Sequence, residues 1–138
     1  MLPLLLASSS VYRRELLARL QLPFTCSSPD IDESHRSGES AVELVKRLAE
    51  EKARALVSSH PAHLIIGSDQ VAVLGERIIG KPHTFEKARE QLLASSGASV
   101  TFLTGLALLN SQTGECQVDC VPFTVHMRQL DEIGRAHV

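Results

Sequence analysis

The sequence has little of what nucleic-acid-binding and disulfide-stabilised proteins depend on. Its 138 residues include no tryptophan and only 4% aromatic residues, and the formal net charge is -2. Because nucleic acids are bound by basic surfaces and aromatic stacking, nucleic-acid binding is not expected. The three cysteines form no C-x-x-C pair and leave an odd thiol, which favours a reducing compartment over a disulfide framework.

Long apolar runs are also missing. No run approaches the length needed to cross a bilayer, so we expect no membrane association. The N-terminal run 2–7 is too short for a signal-peptide core and has no basic stretch before it, and it predicts a buried strand instead. The cytoplasm is the expected location. The six histidines show no paired spacing, and no Cys/His cluster exists, which argues against a zinc site.

What is present predicts a mixed α/β sheet flanked by helices. The serine-rich turn after Leu4–Ala7 can cap a helix over 11–20, and Ser40 to Glu43 matches a capping box opening a helix to about His60. The apolar run 64–66 predicts a buried strand that ends at Gly67 to Gln70. Further elements are predicted as a hairpin of 71–74 with 77–79, a helix over 84–95, and strands over 100–109 and 117–127.

One domain is expected over residues 1–132. Leu130 to Glu132 is an acidic segment typical of a helix start, and residues 133–138 follow it directly. Those six residues have the sequence that one reading frame of a common sequencing adapter encodes. We therefore expect 133–138 to be a non-native tail and the domain to lack a C-terminal part.

Two residues disagree with their local pattern. Lys52 shares the apolar stripe of the long helix, so it is either a lysine that snorkels at the edge of the stripe or an ammonium that reaches an anionic ligand. Asp69 follows a buried strand, where α/β sheets gather ligand-binding residues. Its carboxylate either caps a turn, or binds a divalent cation and takes a proton from water.

Other polar residues could bind phosphate with them. Ser8 and Arg13 flank the start of the first helix, where a hydroxyl, the helix dipole and a guanidinium suit phosphate oxygens. Lys81 lies in a rigid turn, and Glu33 could add an oxygen ligand. The alternatives are a charged helix face for the arginine, a solvated lysine and an exposed loop carboxylate.

Together these groups suit a polyphosphate. Lysines and arginine would hold its oxygens while Mg²⁺ or Mn²⁺, bound by Glu33 and Asp69, bridges them. The sequence contains no G-x-x-x-x-G-K-[ST] loop, no G-x-G-x-x-G fingerprint and no G-x-S-x-G elbow. It is therefore not expected to be a P-loop NTPase, a Rossmann dinucleotide enzyme or an α/β-hydrolase.

Several short segments occur in the order seen in one enzyme family, and the sequence resembles the Maf family of nucleoside triphosphate pyrophosphatases. The resemblance implies an α/β fold with a deep nucleotide-binding cleft, like that of inosine triphosphatases, a divalent metal (Mg²⁺ or Mn²⁺) and a homodimer. The segments that carry it are Leu6 to Ser10 with Arg13, Asp32-Glu33, Lys52-Ala53, Gly67 to Gln70, Gly80 to Pro82, and Thr104-Gly105.

The resemblance also implies roles. Asp69 matches the family's proton acceptor, Glu33 a metal or water ligand, and the phosphate-binding residues are matched by Arg13, Lys52 and Lys81. Tyr12 and Gln70 resemble the branch that acts on 7-methyl-GTP, where these positions select the base, and an aromatic ring suits a cationic purine. Tyr12 could instead be a packing ring. The competing hypotheses are a non-catalytic nucleotide-binding regulator of cell division and an inactive fragment.

Overall fold

The computed structural model describes residues 2–75, 77–79 and 99–126. The described strands form a mixed sheet in the order β2-β1-β3-β5-β6, with β4 paired to β3, which confirms the predicted fold class. The helix predicted over 84–95 and the tail 133–138 lie outside the described residues. The elements are β1 (Leu4–Ala7), α1 (Val11–Ala18), β2 (Phe24–Ser27), α2 (Ala41–Arg54), β3 (Leu64–Leu74), β4 (Arg77–Ile79), β5 (Ser99–Asn110) and β6 (Cys116–His126).

The chain divides into two compact units. One is made of Met1–Gln70 and Thr104–Val121 and contains both described helices. The other includes the predicted hairpin, in which Val73 of β3 pairs antiparallel with Ile78 of β4. In that unit a hydrogen bond also joins the hydroxyl oxygens of Thr101 and Thr124, 3.0 Å apart.

Helix α2 begins with the predicted capping box. The Ser40 hydroxyl accepts from the Glu43 amide, and the Glu43 carboxylate accepts from the Ser40 amide. The helix ends at Arg54, so its predicted extension to His60 is wrong. Leu56 and Val57 still pack on the core from the turns that follow, which explains why the apolar spacing outlasts the helix. The buried face of α2 consists of Leu44, Val45, Leu48, Ala49, Lys52 and Ala53.

Strand β3 runs without interruption through Gly67 to Leu74, so the predicted strand end at Gly67 to Gln70 is wrong. The glycine serves packing rather than a turn, because a Cβ placed there would lie 2.0 Å from the carbonyl oxygen of Ala49 in α2. Gly105 of β5 is equally close, with 2.1 Å between a built Cβ and the Val45 oxygen. Two strands thus meet the backbone of α2 directly.

The core of the first unit, Met1–Gln70 with Thr104–Val121, lies between α2 and the sheet. Leu5, Ile65 and Leu109 are fully buried within it. Helix α1 forms where predicted, but none of its residues is buried, and Leu16 is 39% exposed. Neither described helix has the length and apolar character needed to cross a membrane.

Candidate active site

Three segments of the chain leave the parallel part of the sheet at the same edge. β1 pairs in parallel with β2 and β3, and its last residue, Ala7, lies opposite Ser27 and Gly67. This carboxyl edge is where open α/β sheets collect ligand-binding residues. The next residues of the three segments are Ser8, the loop 28–39, and Ser68 with Asp69.

The buried polar and charged residues cluster at this edge. Among the described residues, those that are both buried and polar or charged are Ser8, Lys52, Ser68 and Asp69. Burying polar groups costs free energy unless they are paired, so their grouping at one place indicates a site rather than general core packing.

The Lys52 ammonium has three acceptors. Its Nζ donates to Asp69 Oδ1 at 2.9 Å and to the Ser68 carbonyl oxygen at 3.3 Å, and it pairs with Glu33 Oε1 at 2.9 Å. The side chain is only 10% exposed, which excludes the snorkelling alternative. Close packing of α2 on Gly67 brings the lysine within reach of β3, because the adjacent turn of the helix lies against the strand.

Asp69 lies within β3 and caps no turn, so the turn-capping alternative is wrong. Its side chain faces α2, as Gly67 does two residues earlier, because alternate residues of a strand share a face. Oδ1 is taken by Lys52, and within residues 2–75, 77–79 and 99–126 no donor bonds to Oδ2. That second oxygen can accept a hydrogen bond from a bound water.

Glu33 and Asp69 bring two carboxylates close together. Both carboxylates lie 2.9 Å from the same nitrogen, so their contacting oxygens are separated by no more than twice that distance. The described part of the chain contains no cluster of three or more His, Cys, Asp or Glu side chains placed to hold a metal. Two carboxylates nevertheless fit Mg²⁺, which commonly completes its shell with waters and substrate phosphates.

The start of α1 lies next to this edge. Ser10 caps the helix by accepting from the Arg13 amide, and the Ser8 hydroxyl accepts from the Ser10 amide. Within the described residues the amides of Val11 and Tyr12 have no acceptor, which leaves them to an anion or water. Tyr12 is 68% exposed, so it does not pack into the core that the described residues form.

Gln70 points away from the carboxylate pair. Strand alternation turns it to the sheet face opposite Asp69, and its Nε2 donates to the Thr104 hydroxyl at 3.0 Å. Thr104 received no role from the sequence, although the segment that contains it was part of the family resemblance. Lys81 lies outside the described residues. The structure thus joins Lys52, Asp69 and Glu33 and places Ser8 and Arg13 at the same edge.

A model of the family described as Maf-like protein matches residues 3–135 of the chain. The chain belongs to the Maf-like family. This agrees with the resemblance inferred from the short sequence segments.

Members of the Maf-like family that are similar to this chain carry a common name. A protein of Pseudomonas fluorescens strain Pf0-1 named 7-methyl-GTP pyrophosphatase is 88% identical over 132 residues, 96% of this chain and 69% of that protein. Its namesake in strain Pf-5 is 89% identical over 95% of this chain and 68% of its own length. The Pseudomonas aeruginosa PAO1 protein of the same name is 69% identical over 94% of this chain and 67% of its own.

A solved structure has a similar fold. It is a nucleoside-triphosphatase, dITP/XTP pyrophosphatase, of Mycobacterium abscessus, which matches with a TM-score of 0.58 over 90% of this chain and 73% of that one. At 19% identity the likeness concerns the fold alone. It agrees with the predicted α/β fold class.

Proposed function

We propose that this chain is a metal-dependent pyrophosphatase that cleaves 7-methyl-GTP to the monophosphate and pyrophosphate. The observation that carries the proposal is the buried Lys52 ammonium held between Asp69 and Glu33 at the carboxyl edge of the parallel strands. The name shared by the similar Pseudomonas proteins supports the choice of substrate. A cytoplasmic location and a homodimer stay predictions.

The residues divide the work between binding and proton transfer. Lys52, Ser8, Arg13 and Lys81 bind the phosphate oxygens, while Asp69 Oδ2 accepts a proton from the attacking water. Attack at the α-phosphorus breaks the bond to the bridging oxygen, and pyrophosphate leaves. A barrier to this chemistry is the negative charge of the substrate, which several cations must offset.

The charge of the carboxylate pair supports a metal requirement. Two carboxylates against one ammonium leave a net negative charge where a triphosphate must bind. A divalent ion held by Glu33 and Asp69 would reverse that sign and polarise the phosphoryl oxygens. The ammonium contacts the same oxygens, so metal and Lys52 compete for them unless the lysine turns to the phosphates.

We propose that Tyr12 and Gln70 select the base. The exposed Tyr12 ring can stack on a cationic 7-methylpurine. The bond from Gln70 Nε2 to Thr104 orients the amide, and its Oε1 can accept an N–H of guanine. Adenine carries an acceptor at the ring nitrogen where guanine carries this N–H, so ATP should be a poorer substrate than a guanine nucleotide.

The substrate proposal is tested by pyrophosphate release from 7-methyl-GTP, GTP and ATP at equal concentrations. We expect kcat/KM for 7-methyl-GTP to exceed that for GTP by about tenfold, the size of one cation–π contact. Equal kcat/KM for all three nucleotides would contradict the substrate. Nucleotide binding without any turnover would favour the regulatory alternative instead.

The metal proposal predicts loss of activity in excess EDTA and recovery with Mg²⁺ or Mn²⁺. Glu33→Gln should raise the metal concentration for half-maximal activity by at least about tenfold, because one of two anionic ligands becomes neutral. Glu50→Gln is the matched control, since Glu50 lies on α2 in an exposed pair with Arg54. Full activity in EDTA would overturn the requirement, and an unchanged metal response in Glu33→Gln would remove Glu33 as a ligand.

A further inference from the structure

The loop that carries Glu33 is fastened to α2 by one arginine. Arg47 Nε and Nη2 bond the two oxygens of Glu39 at 2.6 and 3.0 Å, and Nη2 also donates to the Ser34 carbonyl oxygen at 2.9 Å. Its Nη1 donates to Glu51 Oε2 at 3.0 Å. We call Arg47 with Glu39, Glu51 and the Ser34 carbonyl the Arg47 clasp.

The clasp is well shielded for a group of charges. The side chains of Arg47 and Glu39 are 15% and 9% exposed. The hydrogen bond from Arg47 lowers the pKa of Glu39 to about 2, despite an opposing effect of burial, and the Arg36 amide and the charge of His35 act in the same direction as Arg47. The carboxylate therefore stays ionised at neutral pH, and the bidentate pair persists there.

The clasp acts on the residue next to Glu33. Ser34 directly follows Glu33, and the loop 28–39 contains no helix or strand that would fix its backbone. Glu33 is 58% exposed, yet its carboxylate meets the buried Lys52 ammonium. Arg47 lies just over one turn before Lys52 on α2, so one helix holds both the loop and the ammonium that the loop must reach.

We propose that Arg47 is a positioning residue that holds Glu33 in place for the divalent metal. The inference rests on the proposed function, in which Glu33 is a metal ligand. Arg47 itself touches neither Asp69 nor Lys52 through any hydrogen bond or ion pair of the described residues. Its effect reaches the metal through the Ser34 backbone and Glu39.

The test replaces Arg47 by methionine and measures Mn²⁺ binding without nucleotide, by calorimetry, beside metal-dependent activity. We expect Mn²⁺ affinity to fall about tenfold, as for other residues that orient metal ligands, while kcat at saturating metal changes less than about threefold. Arg54→Met is the matched control, because Arg54 pairs with Glu50 on the same helix but makes no hydrogen bond or ion pair with a loop residue among those described. It should leave both quantities unchanged.

A double-variant cycle separates positioning from general damage. If Arg47 acts through Glu33, then Arg47→Met should change Mn²⁺ affinity far less in a Glu33→Gln background than in the wild type. Equal losses in both backgrounds, or no loss in either, would overturn the inference. Should Arg47→Met fail to fold, Glu39→Gln keeps an acceptor but removes the charge, and it should shift the affinity in the same direction by a smaller factor.

Failure of the proposed function has a different signature. If the wild-type protein binds Mn²⁺ but releases no pyrophosphate, the proposed pyrophosphatase function is contradicted. The effect of Arg47→Met on Mn²⁺ affinity can still be measured in that case. If the wild-type protein releases pyrophosphate but Arg47→Met leaves the Mn²⁺ affinity unchanged, the positioning role of Arg47 alone is contradicted.

Discussion

Replacing Asp69 by asparagine should lower the rate of pyrophosphate release by at least about 100-fold, the contribution expected of a general base. The substitution keeps the size of the side chain and an acceptor for Lys52, but its amide cannot take a proton from water. The Lys52 ammonium retains Glu33 and the Ser68 carbonyl as partners, so the fold should survive. Steady-state kinetics with 7-methyl-GTP, beside a thermal melt, measures both effects.

Asp119 provides the matched control. It is an exposed aspartate on β6, and among the described residues its carboxylate accepts only from the neighbouring amide of Cys120, so Asp119→Asn should keep full activity. Equal rates in wild type and Asp69→Asn would defeat the general-base role. A melting temperature that collapses in Asp69→Asn would show that the carboxylate mainly stabilises buried Lys52.

The local elements were predictable because local chemistry specifies them. The capping box of Ser40 and Glu43, the short strand β1 and the helix start after Ser8 were correct from spacing and residue type alone. Lys52 stood out for the same reason, since a charge in an apolar stripe is conspicuous against a helical period.

What the sequence could not supply are contacts across long separations. Gly67 resembled a strand end, because a glycine required for close packing and a glycine required for a turn look alike in one sequence. Arg47 resembled any charged residue on an exposed helix face. The i, i+4 spacing of Arg47 with Glu51 was a signal, but its bonds to Glu39 and Ser34 depend on where the loop lies.

The same distinction applies to the site: its residues were predictable, but their contacts were not. Asp69, Lys52 and Glu33 were candidates from residue chemistry, yet their contact follows from parallel pairing of β1 with β2 and β3. That pairing sets the loop after β2 and the continuation of β3 at one edge. Gln70 was predicted to select the base because of the family resemblance, and the sequence did not show that strand alternation places its side chain on the face opposite Asp69.

Gly67→Ala should destabilise the protein by at least about 3 kcal/mol, the upper part of the range for overpacked cores. The added methyl would lie 2.0 Å from the Ala49 oxygen and 3.0 Å from the Ala53 nitrogen, and both are backbone atoms that cannot rotate away. Helix α2 must therefore move off β3. For a domain of this size we expect the melting temperature to fall by about 10 °C.

Gly114→Ala separates this packing effect from the general cost of replacing a glycine. Gly114 has φ +84° in a turn and no atom within 4 Å of a built Cβ, so its replacement should cost only about 1 kcal/mol of left-handed strain. The Gly67 variant should differ in a second respect. Because Lys52 lies on the displaced helix, activity should fall even at temperatures where the variant remains folded, since the ammonium and Asp69 separate. A Gly67→Ala protein as stable and as active as Gly114→Ala would mean that α2 does not rest on β3 at this point.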